Sequence, residues 1–465
     1  MADATQESLN ETEKENAPNE EALAGERVRE TVRAIKNDDE AALRNILSDS
    51  HASDTAEILS LLNKGQRDKL IDMVGDSLDS AVLAELDDNL QAKVAEQLDP
   101  EQLVAAVQEL ETDDAVFVLG EMDATGQQEI LEKIPVQDRI VLQRSLDYPN
   151  ESAGRLMRSD VVAAPPYWTI GQTLDFLRDT EDLPDDFWEI LVVDPTHTPV
   201  GVVQLNKAMR SSRPTLLGDI MDERLNTIPA EMDREDMARQ FERYNLFSAP
   251  VVDHDGRLVG VVTADDVFEV IAEEAEEDIL RLGGVGDETV SDSMLMAARS
   301  RFSWLFVNLL TAILASMVIA MFDASIEQMV ALAVLMPIVA SMGGNAATQT
   351  LTISVRALAT RELIPVNAFR VVSREIGIGL VNGILFALLL GAVGAFWFDN
   401  AILGVVLAMA MLVNMFVAGM SGILIPIGLD KLGIDPAVAS GVFVTTITDV
   451  IGFLAFLGFA TVFLL

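Results

Sequence analysis

Val444-Thr445-Thr446-Ile447-Thr448-Asp449-Val450 lies deep inside the last long apolar segment of a 465-residue chain. A carboxylate at bilayer depth costs roughly 2.5–3.5 kcal/mol on insertion scales, so Asp449 calls for a function there. The usual functions are an ion pathway, a proton relay or a partner for a buried base. No lysine or arginine follows Lys431. A base within this segment is therefore excluded, and the partner left is a cation.

Four more apolar segments precede it, at about 302–322, 329–353, 376–397 and 401–429, and the last runs over 437–464. Each is long enough to span a bilayer. Arg301, then Arg356, Arg361, Arg370 and Arg374, then Lys431 fall on one side of these spans. Asp323, Glu327 and Asp399 fall on the other. The excess of bases marks the cytoplasmic side, which puts the N-terminal part in the cytoplasm and the C-terminus outside a plasma membrane.

Of the 74 acids only eight lie from Arg301 onward, and of the 32 bases only six. Nearly all of the formal charge of −42 therefore belongs to the first 300 residues. Such acidity argues against nucleic acid, whose phosphates need basic patches. It suits divalent cations, which prefer hard oxygen ligands. With no cysteine there is neither disulfide nor thiolate metal site. His51, His197 and His254 are scattered without ligand spacing.

The acidic part divides further. Residues 1–25 are polar and read as a disordered tail without a signal peptide. Residues 26–156 carry apolar positions at helical spacing, in short units such as Asp113-Asp114-Ala115-Val116-Phe117-Val118-Leu119. Helices this short bury their faces only by stacking, which predicts an α-superhelix. After Met157 the period changes. Ile190-Leu191-Val192-Val193-Asp194 and Val200-Gly201-Val202-Val203 recur as Ala249-Pro250-Val251-Val252-Asp253 and Leu258-Val259-Gly260-Val261-Val262. This is a tandem α+β repeat of hairpin and helix. It resembles a pair of CBS domains, over 157–217 and 218–273. A connecting helix is expected over 274–300, and a five-helix all-α membrane domain over 301–465.

Within the membrane part, Gly441, Thr445, Thr448 and Asp449 recur at spacings of three and four, hence on one helix face. Ser341, Asn345, Thr348, Gln349 and Thr352 do the same in the second span, with Gly343-Gly344 alongside, where backbones can approach closely. Several motifs in order now resemble the MgtE family of magnesium transporters. They are Tyr148-Pro149-Asn150-Glu151-Ser152-Ala153-Gly154-Arg155-Leu156-Met157, Gly343-Gly344-Asn345-Ala346-Ala347-Thr348-Gln349, Val355-Arg356-Ala357-Leu358-Ala359-Thr360-Arg361-Glu362, Asp435-Pro436-Ala437 and Thr445-Thr446-Ile447-Thr448-Asp449.

The resemblance implies a homodimer in the bilayer, with a Mg2+ pathway at its axis lined by the second and fifth spans. Asp449 falls on the central pore aspartate; Gly343, Gly344 and Asn345 fall on the pore's glycine-glycine-asparagine segment. It also implies that cytosolic Mg2+ closes the pore by binding between acidic surfaces. Asp113 or Asp114 of the helical domain, Asp266 and Glu269 of the second CBS unit, and Glu274, Glu277 and Asp278 of the connecting (plug) helix match those ligands. Another acid is implied near Ala81, where none is evident. CBS domains often bind adenine nucleotides, and Thr263 and Asp265 stand where such sites contact ribose, so ATP is a candidate ligand.

Three rivals follow from the same residues. One moves another divalent metal such as Co2+, although an oxygen lining disfavours soft-metal selectivity. Another is a tethered Mg2+ or nucleotide sensor without transport. A third is a membrane hydrolase using Asp449, which lacks a second acid or nucleophile at depth within one chain. No phosphate-cradling loop of an ATP-driven pump is visible, and no enzymatic step is expected.

Overall fold

The computed structural model describes residues 20–464 except 181–182, 185–186 and 287–293. The chain forms two compact units, Met1–Glu274 and Ala275–Leu465. Within the range 1–25 expected as a tail, a helix begins at Glu20. The remainder of that expectation lies outside the described residues.

Short helices from Glu20 to Leu146 pack around one apolar core that includes Leu43, Leu59, Leu70, Leu90 and Leu119. Many begin at a side-chain cap, which frees each helix from needing length to be stable. Asn63 and Gln66 form a reciprocal box, as do Asp99 and Gln102, and Asp123 accepts from Gly126. His51 serves as such a cap. One helix matters below: α1 (Thr112–Gly120).

The two repeats give two sheets of equal topology. Strands β1 (Ala163–Ala164), β2 (Glu189–Val193) and β3 (Pro199–Gln204) form one sheet. Strands β4 (Ile228–Pro229), β5 (Ser248–Val252) and β6 (Leu258–Thr263) form the other. In each, a short parallel strand precedes an antiparallel hairpin, in matching register: Leu191 faces Val202 as Pro250 faces Val261. The first strand of each hairpin, β2 or β5, has a continuous buried centre, whereas β3 and β6 alternate between buried and half-buried positions.

The junction differs from the expected boundary at Met157. Residues 152–158 belong to the second repeat. Ala153 and Met157 sit in its core, and backbone N–H groups of Ala153, Gly154 and Arg158 donate to Met232, Ala230 and Val261. Gly154 is required because a Cβ there would stand 2.5 Å from the Tyr148 ring. The chain thus crosses the second repeat before building the first.

Helix α2 (Ala264–Leu282) follows β6. It replaces the connecting helix expected over 274–300: it starts earlier and ends at Leu282, where Gly284 takes a positive φ of 69°. The next helix, α3 (Met294–Ala320), opens the membrane unit. It continues with α4 (Ala331–Ala359), α5 (Ala368–Trp397), α6 (Ala401–Lys431) and α7 (Pro436–Phe463). All five hold a stretch long and apolar enough to cross a membrane. The central one is α6, packed on α4, α5 and α7. Small residues permit the approach: a Cβ on Gly404 would stand 2.4 Å from the Gly391 carbonyl on α5.

Candidate functional site

Two groups of polar side chains stand out, one in each unit. In the soluble unit, β6 ends at Thr263 and α2 begins at once, so Asp265 and Asp266 occupy its first turn. Acids there complement the helix dipole. Glu269 follows one turn later. Opposite lie Glu111, Asp113 and Asp114 at the start of α1, whose carboxylate oxygens come within 4.8 Å of one another. Glu85 joins them. Asp113, Asp114, Glu85, Asp266 and Glu269 line one cavity.

Arg158 reaches into this cluster with its side chain only 14% exposed. Its Nε donates to Asp113 at 3.1 Å, Nη1 meets Glu111 at 2.6 Å, and Nη2 meets Asp265 at 2.9 Å and Asp266 at 3.2 Å. Burial alone would lower its pKa, but Asp113, Asp266, Glu111 and Asp265 together raise it, so the guanidinium stays charged. One positive charge does not balance the cluster. Burial, then Asp266 and Asp114, drive the Asp113 carboxyl well above the usual range against the pull of Arg158. Burial and then Asp266 push Asp114 up to about 6. Glu269 rises to about 7 through burial and then Asp266, even though much of its side chain meets water. Asp113 Oδ1 is buried without a partner. Crowded carboxylates with raised pKa values and one orphaned oxygen fit a hard divalent cation.

The remaining expected ligands behave differently. Glu274 pairs with Arg234 at 2.7 Å, and Arg234 also takes Glu151 at 2.5 Å and Glu273 at 3.0 Å. Glu277 pairs with Arg281, four residues on. Arg281 also reaches Asp435, which caps the start of α7 through the Ala437 N–H. Asp278 has an interaction partner too. No acid stands at Ala81 itself, but Glu85, the residue that ends the short helix beginning there, lines the cavity. Thr263 donates to Asp266 at 2.7 Å and Asp265 is held by Arg158, so both candidate ribose contacts already have protein partners.

In the membrane unit, Ser341, Asn345, Thr348, Gln349 and Thr352 all lie exposed on α4, although the helix is otherwise apolar. The two glycines of the motif part company. Gly343 is buried against α6, where an added Cβ would stand 2.1 Å from Asn414 Nδ2. Gly344 faces open space. On α7, Gly441 also faces open space, and Thr445 and Asp449 are half-buried. Thr448 is fully buried, so the stripe expected through it divides: a neighbour in sequence turns about 100° round a helix. The hydroxyls of Thr445 and Thr448 donate to the carbonyls of Gly441 and Thr445, both at 2.9 Å. Thr445, being half-buried, keeps hydroxyl lone pairs within reach of the helix surface, whereas those of Thr448 are enclosed by protein. Asp449 makes no ion pair among the described residues.

Profiles of three known families match this chain: the MgtE divalent cation transporter over 336–459, the MgtE intracellular N domain over 50–151 and the CBS domain over 217–273. A magnesium transporter MgtE of Enterococcus faecalis is 35% identical over 323 residues, covering 70% of this chain and 71% of that protein. The chain belongs to the MgtE family. MgtE transporters of Bacillus subtilis (32% identical; 72% of this chain, 74% of that one) and Thermus thermophilus (33%; 72% and 75%) match similarly. The solved cytosolic domain of the Mg2+ channel MgtE in complex with ATP aligns at 27% identity and a TM-score of 0.45, over 52% of this chain and 99% of that domain.

Within the stretch that the MgtE transporter profile covers lie two buried polar residues that sequence reading passed over. Asn414, alone in an apolar run of α6, donates to the Val339 carbonyl at 2.8 Å and leaves Oδ1 unpartnered. Glu375 on α5 is 2% exposed; its Oε1 accepts no hydrogen bond and lies 3.8 Å from Arg374 Nη1. For Asn414 a polar residue isolated in apolar sequence was the available signal, whereas Glu375 directly follows Ser373 and Arg374 and gave none. Arg158 offered no such signal, since an arginine after a turn is ordinary.

Proposed function

We propose that this chain is a dimeric, channel-like magnesium transporter. The ion passes along the open polar faces of α4 and α7, past Asn345, Gln349, Thr445 and Asp449. The observation that carries the reading is the exposed hydrophilic face of α4 beside an aspartate without a basic partner. Lipid does not cover such a face; protein or water must. A second copy across an axis encloses it and brings a second Asp449, giving two charges for one divalent ion. Mg2+ sheds water reluctantly, so carboxylate, hydroxyl and carbonyl oxygens hold it hydrated. An inside-negative potential drives entry with roughly 2.3 kcal/mol per charge per 100 mV, twice that for a divalent ion. No catalytic step is needed.

Cytosolic Mg2+ closes the pathway by binding among Asp113, Asp114, Glu269 and Glu85. Filling the cluster relieves its repulsion and favours the arrangement in which α1 and α2 approach. Glu277, Arg281 and Asp435 give α2 a hold on the start of α7. The soluble unit lies in the cytoplasm and the C-terminus outside. A nucleotide at the second CBS unit would have to take Thr263 from Asp266 and Asp265 from Arg158. Failure of ATP to shift the melting of the full protein removes that role.

Mg2+ uptake into proteoliposomes tests the pathway. The parent should take up Mg2+, and a folded, dimeric Asp449→Ala variant should not. Equal uptake by both rejects the pathway. No uptake by either at low internal Mg2+ leaves the sensor reading, and Co2+ outcompeting Mg2+ in the parent leaves the other-metal reading.

A further inference from the structure

The acidic cavity contains a cation already, and it is part of the chain. Arg158 lies on the segment that crosses the second CBS unit, where its backbone is clamped to Val261 on both sides: Arg158 N–H donates to the Val261 carbonyl at 2.8 Å, and Val261 N–H to the Arg158 carbonyl at 2.9 Å. A Cβ on Gly260 would stand 2.7 Å from the Arg158 carbonyl, so the segment sits close against β6. The side chain is thereby fixed at its root. Its fork spans two acids of the helical domain, Glu111 and Asp113, and two of the CBS unit, Asp265 and Asp266, all within 3.2 Å. A planar fork with five donors can serve several carboxylates at once.

We infer that Arg158 is a built-in cation that holds α1 on the second CBS unit without metal, leaving Mg2+ to control only the other half of the cavity. That half comprises Asp113 Oδ1, Asp114, Glu269 and Glu85. Asp113 divides the halves, with Oδ2 on Arg158 and Oδ1 without a protein partner. Asp114 and Glu269 make no ion pair among the described residues, and the charge on this side stays in excess. The consequence is a graded response. Withdrawal of Mg2+ loosens the cavity on one side, while the arginine keeps the helical domain attached on the other. This refines the gating reading above and rests on it only for the metal-controlled half.

Hydrogen exchange on the full-length protein in detergent tests the inference, with EDTA or Mg2+ present. In EDTA the parent should keep protection across α1. Arg158→Gln leaves four carboxylates without their shared partner, and removal of one member of a buried charge pair is strongly destabilising. Its α1 should exchange roughly a hundredfold faster in EDTA, with β2 and β3 unchanged, and saturating Mg2+ should restore protection. Parent-like exchange of Arg158→Gln in EDTA overturns the inference. If Arg158→Gln loosens α1 but Mg2+ changes neither protein, the arginine clamp stands and the gating reading falls. If the glutamine variant misfolds, seen as fast exchange at β2 and β3 too, Arg158→Lys decides. One ammonium cannot bridge four carboxylates, so its α1 should exchange at an intermediate rate, and a parent-like rate overturns the inference.

Discussion

Around Asp113, four carboxylates share one guanidinium, whereas Asp449 has no basic side chain on its own helix. Both places are built of oxygen ligands and both invite a divalent ion. Under the proposed reading the soluble cluster can keep an arginine, because the ions it takes stay where they bind. A pathway cannot, because a fixed cation at depth would occupy the site that the mobile one must cross. The difference is one between residence and transit.

The largest expected effect breaks this contrast at its transit end. Asp449→Asn keeps shape and loses charge. Proteoliposome uptake of Mg2+ should fall by roughly tenfold to a hundredfold, the scale of a lost charge-assisted contact. Uptake within twofold of the parent would mean that the carboxylate charge is not what the ion uses.

Next comes the Gly343-Gly344 pair on α4. Gly343→Ala drives a methyl group into Asn414, and overpacking of this kind costs about 1–3 kcal/mol. Gly344→Ala meets nothing within 4 Å. Thermal stability in detergent should drop for the first and stay near the parent for the second. Equal stability would show that α4 and α6 are not locked together at Asn414.

The smallest effect concerns protons at the resident end. Asp114 and Glu269 have folded pKa values of about 6 and 7, above their ordinary ones. A raised acid binds more protons folded than unfolded, so it lowers stability as pH rises through that window. The penalty is full above pH 7 and absent near pH 4. Metal-free protein should therefore melt higher at pH 5.5 than at pH 8, and the stabilisation by Mg2+ should be smaller at pH 5.5. Asp114→Asn with Glu269→Gln should flatten that difference; an unchanged difference would assign it to other acids.

Much of the fold was legible because its signals are local. The change from helical spacing to β-branched runs near residue 190, and its recurrence near 249, announce a repeat whose sheets have the same register. Five long apolar runs announce five membrane helices, since bilayer thickness sets their length. The linker was misplaced because Ala153 and Met157 are apolar residues that would suit either neighbour, and only packing assigns them to the second repeat. The stripe through Thr448 failed because spacing gives a face without saying which part of it a neighbour covers.

Asp449 announces itself from sequence, since any charge at membrane depth is costly wherever it points. The acid-rich half likewise announces an appetite for cations. Which acids are already satisfied was decided by tertiary structure alone. The partners of Arg158 lie as far as 45 residues before it and 108 after it, and those of Arg234 arrive from the linker and from α2. An ion pair depends on a few ångströms of separation, and no pattern in a linear chain encodes distances between residues that only folding brings together.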